Sequence, residues 1–250
     1  PINPATATGP STDLEPWFSG GDDASTNVLK HINPGANGSF PSGWTVSGDR
    51  LYFVANDGTN GTALWATDGT ANGTNMVVDT NDSSAALSHS LNPRDIVSMG
   101  DRKIFFIAGT SSTGQELTYS DGTAAGTTVL DINTGLDGGY VKHVTRLGNK
   151  VVFTALDTTH LANTQLWISD GTTAGTTLVK TLNSTAINAV SEIVPAAFDD
   201  TKLLISVDDG VNGQELWITD GTEAGTLLLK DINPDANDSS PVFDSSTQVQ

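Results

Sequence analysis

The chain has 250 residues, 36% of them hydrophobic, and its 29 acidic against 11 basic side chains give a net charge of −18. A surface this negative repels nucleic-acid phosphates and anionic membrane surfaces, but it suits divalent cations and neutral glycans. Cys is absent, which excludes disulfides and thiolate metal sites, and no apolar run approaches the length of a membrane-spanning helix.

Gly is abundant (26) and charged residues are few (16%). No stretch sustains apolar spacing at three and four residues. Short strands and many turns are expected, with almost no helix. At the start, residues 3–8 ("NPATAT") read as a weak strand. "EPWFSGGDDASTNVLKHI" follows, and it announces a repeat. Four fuller copies come after it, over about 41–80, 92–133, 140–183 and 190–233. Anchored on an aromatic residue, they align at Trp65, Tyr119, Trp167 and Trp217, spaced by 54, 48 and 50 residues, with Trp17 as an atypical first copy.

Each full copy predicts four strands. The first is a short stretch ending in a turn, such as "PSGWTVSGD". The second is strongly apolar, as in "RLYFVA", "KIFFIA", "KVVFTA" and "KLLISV". The third carries the anchor, and the fourth reads "TNMVVDT", "TTVLDI", "TTLVKTL" or "TLLLKDI". Asp-Gly and Gly-rich turns separate them. The second and fourth pieces are apolar at both parities, so both their faces are expected to be buried. The tail from Pro241 supplies only a first strand. Residues 240–250 together with 1–33 would therefore complete a fifth unit. The expected fold is all-β: one five-bladed β-propeller domain over residues 1–250, with four antiparallel strands per blade, closed by strands from both termini.

The repeated Asp-Gly-Thr marks a corner. Asp68, Asp121, Asp170 and Asp220 each close a third strand ahead of a Gly able to take positive φ. Their carboxylates are placed to accept backbone N–H bonds across the turn, and the Thr residues that follow are placed to bond within the same loop. Strict repetition suits a scaffold or equivalent binding pockets better than a single asymmetric catalytic site.

These residues closely resemble a bacterial repeat of consensus Glu-Leu-Trp-x-x-Asp-Gly-Thr-x-x-Gly-Thr. "ELWITDGTEAGTLLLKDINP" matches it throughout, and the likeness runs from about Leu14 to Pro241. The departures are Pro16 for Leu, Gly20 for Asp and Tyr119 for Trp. The resemblance implies propeller blades in a secreted or surface-attached bacterial protein, often with further modules. It carries no defined activity.

A unique site is expected where the copies differ. Arg50, Arg102, Lys150 and Lys202 hold equivalent places, as do Lys30, Lys180 and Lys230, and both sets read as solvent-facing scaffold charges. Arg94, Lys103, Lys142 and Arg146 remain. Arg94 and Lys142 align at the start of the first strand. Arg146, four residues after Lys142, falls on the same face by two-residue alternation. His143, Asp95 and Glu192 align nearby. Such a basic cluster would bind a carboxylate or sulfate of a glycan at a channel mouth. Its alternative is charge pairing with Asp95, Glu192 or other nearby carboxylates.

The acidic turns 208–215 and 56–62 offer oxygens to a hard cation such as calcium, though without EF-hand spacing. The His residues (31, 89, 143, 160) lack zinc-ligand spacing, and no nucleotide or nucleophile motif occurs. Six sequons, at Asn37, Asn60, Asn72, Asn81, Asn183 and Asn237, are what chance produces in a chain so rich in Asn, Ser and Thr.

The expected function is a non-enzymatic binding or structural module outside the cell, recognising glycan or protein. An enzyme acting on carbohydrate through Asp95, Glu192 or Asp244 is the second expectation. The third is a structural fragment that meets other domains of a longer chain.

Overall fold

The computed structural model describes residues 14–34, 38–78, 93–110, 113–134, 138–157, 163–196 and 199–232. The predicted strands at 3–8 and 240–250, as well as His89, His160 and Asp244, lie outside them. All regular structure among the described residues is β, and no helix is long and apolar enough to cross a membrane.

The chain divides into two compact units, Pro1–Val129 and Leu130–Gln250. The first unit opens with a hairpin, β1 (Trp17–Phe18) and β2 (Asn27–Val28). A sheet of β3 (Ser42–Ser47), β4 (Arg50–Asn56), β5 (Thr62–Thr67) and β6 (Asn75–Val78) comes next. A second sheet holds β7 (Arg94–Gly100), β8 (Lys103–Thr110), β9 (Gly114–Ser120) and β10 (Thr128–Leu130). The C-terminal unit carries β11 (Lys142–Leu147), β12 (Lys150–Ala155), β13 (Thr164–Ser169) and β14 (Thr177–Asn183). Its other sheet is β15 (Val190–Pro195), β16 (Leu203–Asp208), β17 (Gln214–Thr219) and β18 (Leu227–Lys230). All four larger sheets are meanders in which each strand pairs with its chain neighbour, as the four-piece repeat predicts.

The alternation of β4 explains how the sheets stack. Tyr52 joins Leu64, Ile104 and Phe106 in one buried cluster, while Phe53 joins Ile32, Ala63 and Trp65 in another. Successive side chains thus bury opposite faces of one sheet, each large one contributing about 1.5–3 kcal/mol. In the C-terminal unit one cluster runs from Val152 and Leu166 to Ile205 and Trp217. Within each unit the first strands of consecutive sheets lie side by side, β3 against β7 and β11 against β15. Thr45 and Thr145 hold equivalent places there. Each donates its hydroxyl to the neighbouring strand, to the Ile96 carbonyl (3.2 Å) and the Ile193 carbonyl (3.3 Å).

Three sequence expectations need correction. First, the fourth strands are not buried on both faces. As edge strands they expose Leu178, Leu227 and Leu229. Second, Tyr119 does not hold the anchor position. Phe53, Phe153 and Ile205 face Trp65, Trp167 and Trp217, whereas the residue facing Phe106 is Thr118. The anchor place in β9 is therefore Thr118. Tyr119 points to the opposite face, edge-on to Phe105 at 5.3 Å. Lys103, three residues before Phe106, is then the counterpart of Arg50. Arg102 becomes an additional turn residue at φ +66°, paired with Asp49.

Third, Lys30 and Lys180 are not merely solvent-facing. Each grips the corner of the following sheet. Lys30 Nζ donates to the Thr74 carbonyl at 2.5 Å, and Lys180 Nζ to the Thr226 carbonyl at 2.9 Å while lying over the Trp217 ring.

The glutamate of the repeat is buried, which its charge conceals in the sequence. Glu15, Glu116 and Glu215 are at most 5% exposed. Glu15 Oε2 accepts Ile32 N–H (3.0 Å) and the Ser39 hydroxyl (2.5 Å), and Oε1 accepts Asn33 N–H (2.8 Å). Glu215 Oε2 likewise accepts Ile232 N–H at 3.2 Å. The carboxylate ties the chain leaving the fourth strand back to the third strand of the same unit. Gln165 replaces it in β13 and instead accepts Asp157 N–H and the Trp167 indole N–H.

Candidate functional site

The Asp-Gly-Thr corner is the first candidate, and its hydrogen bonds are repeated four times. At 219–226, Asp220 Oδ1 accepts Thr222 N–H (2.9 Å) and the Thr222 hydroxyl (2.7 Å). Thr222 Oγ1 in turn accepts Gly225 N–H (3.0 Å). The Thr226 hydroxyl donates to the Thr222 carbonyl (2.6 Å), so the proton between Thr219 and Thr226 (2.7 Å) must come from Thr219. Thr219 Oγ1 accepts Gly221 N–H (3.0 Å), with Gly221 at φ +84°. The same bonds hold the corners of Asp68, Asp121 and Asp170. The hydroxyl just before each Asp (Thr67, Ser120, Ser169, Thr219) is buried, and it is part of the motif although the consensus leaves it open. The second Gly is required because a Cβ on Gly225 would lie 2.1 Å from Asp220 Oδ1.

The atypical first corner solves the same packing problem with the roles exchanged. Gly20 stands in place of Asp, and Ser25 in place of the second Gly. The Ser25 hydroxyl accepts Gly20 N–H (3.0 Å), and Asp22 Oδ1 accepts Ser25 N–H (2.7 Å). A Cβ on Gly20 would lie 2.7 Å from Ser25 Oγ. One polar side chain fills the corner in either arrangement.

The Thr hydroxyl and amide donors hold Asp68, Asp121, Asp170 and Asp220 below the usual carboxylate range. The hydroxyl of Thr201, then the Lys202 ammonium, push Asp199 down to about 2. Unfolded aspartate titrates near about 4. These groups therefore stabilise the fold above about pH 4, and that contribution is lost as pH falls through the lower folded values. The melting temperature is expected to decline below about pH 4, with a shallower decline in Asp220→Asn. An equal slope in the variant would show that the corners do not drive it.

The basic cluster resolves differently. Arg94 and Asp95 belong to the N-terminal unit, whereas Lys142, His143, Arg146 and Glu192 belong to the C-terminal one. Arg94 faces Ile107 and Lys142 faces Thr154, equivalent places, so their alignment holds. The expected shared face of Lys142 and Arg146 does not. Three steps along β11 (Lys142 to Thr145) match two along β12 (Thr154 to Val152), a bulge that inverts the alternation. Arg146 faces Val151, and Thr154 and Val151 point to opposite sides of β12. Asp95 and His143 are the bulge residues, at φ +54° and +55°, where Gly43 stands in β3. Asp and His tolerate this conformation better than most residues.

Arg94 is neutralised by its neighbour, Nη1 lying 2.7 Å from Asp95 Oδ2, with Nη2 3.2 Å from Gln115 Oε1. Arg146 Nε donates to the Gly148 carbonyl (2.8 Å), and His143 Nδ1 lies 3.1 Å from Thr154 Oγ1. Glu192 is half-buried on β15, facing Ser206. Lys142 stands apart. Its Nζ donates to a neutral acceptor, Asn188 Oδ1, at 2.7 Å, and no ion pair is seen for it among the described residues.

Lys142 edges a crevice of about 220 Å³, at the end of the sheets opposite the corners, with Tyr140, Leu156, Gln165, Ile187 and Asn188 around it. Its walls are fixed. Thr164 Oγ1 accepts Ala189 N–H (2.9 Å) and donates to the Ala186 carbonyl (2.8 Å), while Asn183 Oδ1 accepts the N–H groups of Thr185 and Ala186. Tyr140 (φ +50°) and Asn188 (φ +59°) are held in left-handed conformations, and Tyr140 and Ile187 are 58% and 49% exposed. A cation beside an exposed ring and an amide is equipped to hold an anionic, ring-shaped ligand.

No family model and no curated protein matches the chain. Solved structures show partial likeness. A puromycin hydrolase aligns over 89% of this chain at 16% identity and TM-score 0.37. A prolyl endopeptidase aligns over 84% at 11% and 0.48, and TolB from Acinetobacter baumannii over 82% at 12% and 0.44. The chain spans 42%, 28% and 46% of their respective lengths. Likeness at this level transfers no activity.

The acidic turns are internally satisfied. Burial raises the Asp57 and Asp209 carboxyls, but the amide donors of Asn60 and Thr59, and of Asn212 and Val211, outweigh it and hold both low. Asn60 and Asn212 also donate side-chain amides to them at 2.7 Å. No group of three or more metal-ligating side chains converges among the described residues.

Proposed function

We propose that the chain is a non-enzymatic binding module, secreted or displayed at a bacterial cell surface, with its repeats arranged as a five-bladed ring closed by strands from both termini. The four meanders, the two-sided burial of the second strands and the side-by-side first strands within each unit support the ring. The resemblance to the Glu-Leu-Trp-x-x-Asp-Gly-Thr repeat supports the extracellular setting. Neither nucleic acid nor membrane insertion suits so acidic a chain. Further domains of a longer protein remain natural partners.

The observation that carries the binding reading is Lys142, a cation without a carboxylate partner among the described residues, at the edge of a rigid crevice in a chain of net charge −18. Its ligand is the carboxylate or sulfate of an acidic glycan. Thermal unfolding with uronate-containing and sulfated oligosaccharides tests this, since a ligand of the folded state raises the melting temperature. At a ligand concentration of about 100 times Kd the gain is about 2.7 kcal/mol. The expected result is a rise that Lys142→Ala abolishes. An unchanged rise in Lys142→Ala would place the ligand elsewhere.

A further inference from the structure

The N-terminal unit holds a second, chemically different pocket. Leu14, Pro16, Trp17, Phe40, Pro41 and Trp44 line a space of about 590 Å³, with Glu15 also contributing. Phe40 also lines a polar pocket of about 460 Å³ that includes Asn33, Asn56 and Thr59. Both volumes fall in the range of small-ligand sites.

Trp44 distinguishes this place from its counterparts in the other sheets. It is 47% exposed where Ile96, Val144 and Ile193 hold the equivalent, aliphatic position beside the bulge. Its indole lies stacked on the buried Phe53 ring at 4.6 Å and 25°, so one face is fixed by the core and the other is presented outward. Beside it Phe40 is 56% exposed at φ +51°, a conformation costly for a bulky residue and shared by its counterpart Tyr140. Phe40 is held there by the Phe40 and Ser39 N–H bonds to the Leu14 carbonyl (3.0 and 2.8 Å) and by Asn56 N–H on the Ser39 carbonyl (2.8 Å).

We propose that this double pocket binds a neutral saccharide, with the C–H face of one pyranose ring on Trp44 and Phe40 and the hydroxyls of the next turned to Asn56 and Thr59. A sugar combines an apolar face with a hydroxyl edge, and the two adjoining pockets offer that combination. The Thr59 hydroxyl and the Asn56 side-chain amide N–H make no hydrogen bond among the described residues, so they are open to ligand hydroxyls. Among the described residues that line the aromatic pocket the one charged group is the engaged Glu15 carboxylate, which favours a neutral ligand over an acidic one.

Isothermal titration with neutral hexasaccharides (β-1,4-glucan, β-1,4-xylan, β-1,4-mannan and α-1,4-glucan) tests the proposal. At least one is expected to bind. Trp44→Val, which restores the aliphatic residue of the other sheets and so preserves the fold, should weaken it by about tenfold or more at an unchanged melting temperature. Thr59→Ala should weaken it by a smaller factor. Wild-type affinity in Trp44→Val, or no heat from any neutral sugar up to about 10 mM, overturns it. Neutral probes do not require Lys142, so this outcome stands independently of the acidic-glycan result.

Discussion

Gly225→Ser is expected to destabilise the chain by about 3 kcal/mol, combining overpacking of about 1–3 kcal/mol with the loss of corner hydrogen bonds at about 1 kcal/mol each. Adding Asp220→Gly should recover most of that loss. The structure contains the reciprocal solution in the Gly20 and Ser25 corner, where one hydroxymethyl group occupies the space of the carboxylate. Asp220→Gly alone should cost less than Gly225→Ser, because it removes acceptors at an exposed corner without creating a clash. Urea unfolding of the two single variants and the double variant gives the coupling directly. Additive losses, with the double variant worse than either single one, would mean that the two corners are not interchangeable.

The second large effect is expected at Glu15. Glu15→Ala leaves Ile32 N–H and Asn33 N–H without their acceptor in a buried site and the Ser39 hydroxyl with only its longer bond to the Leu14 carbonyl (3.3 Å), at a cost of about 3 kcal/mol or more. Glu15→Gln keeps one carbonyl acceptor and should cost roughly half as much. Amide hydrogen exchange is the suitable readout, with the fastest gain in exchange at Ile32 and Asn33. Protected amides there in Glu15→Ala would show that the carboxylate is not what fastens this segment.

Strands and corners were legible because their signals are local. Apolar runs, Asp-Gly turns and a period near 50 residues each need only a short window. The failures came from single-residue displacements. Tyr119 lies one residue past the place equivalent to Trp65, and an aromatic residue is an attractive anchor wherever it falls. Only the pairing of Phe106 with Thr118 reveals the slip. The bulge between Lys142 and Thr145 inverted the side of Arg146, since strict alternation assumes an unbroken ladder. The burial of Glu15 and Glu215 is not legible in the sequence because a carboxylate ordinarily marks the surface. The departure of Trp44 from an aliphatic column is legible in the repeats, but only once the bulge has fixed which residues are equivalent.

The lysine grips impose a direction on this architecture. Lys30 and Lys180 each reach forward to the corner of the sheet that follows them, and never back. The corresponding place is Val78 in the second copy and Asp131 in the third, so neither can make the grip. The junction between β3–β6 and β7–β10 uses Tyr52, which donates its hydroxyl to the Arg102 carbonyl at 2.5 Å, and the Asp49–Arg102 pair. Neighbouring sheets are thus coupled by unlike bonds with unlike sensitivities. Salt should loosen the exposed Asp49–Arg102 pair before it affects a lysine held on a carbonyl and an indole. The junctions along the chain would then part in an order that ionic strength can rearrange.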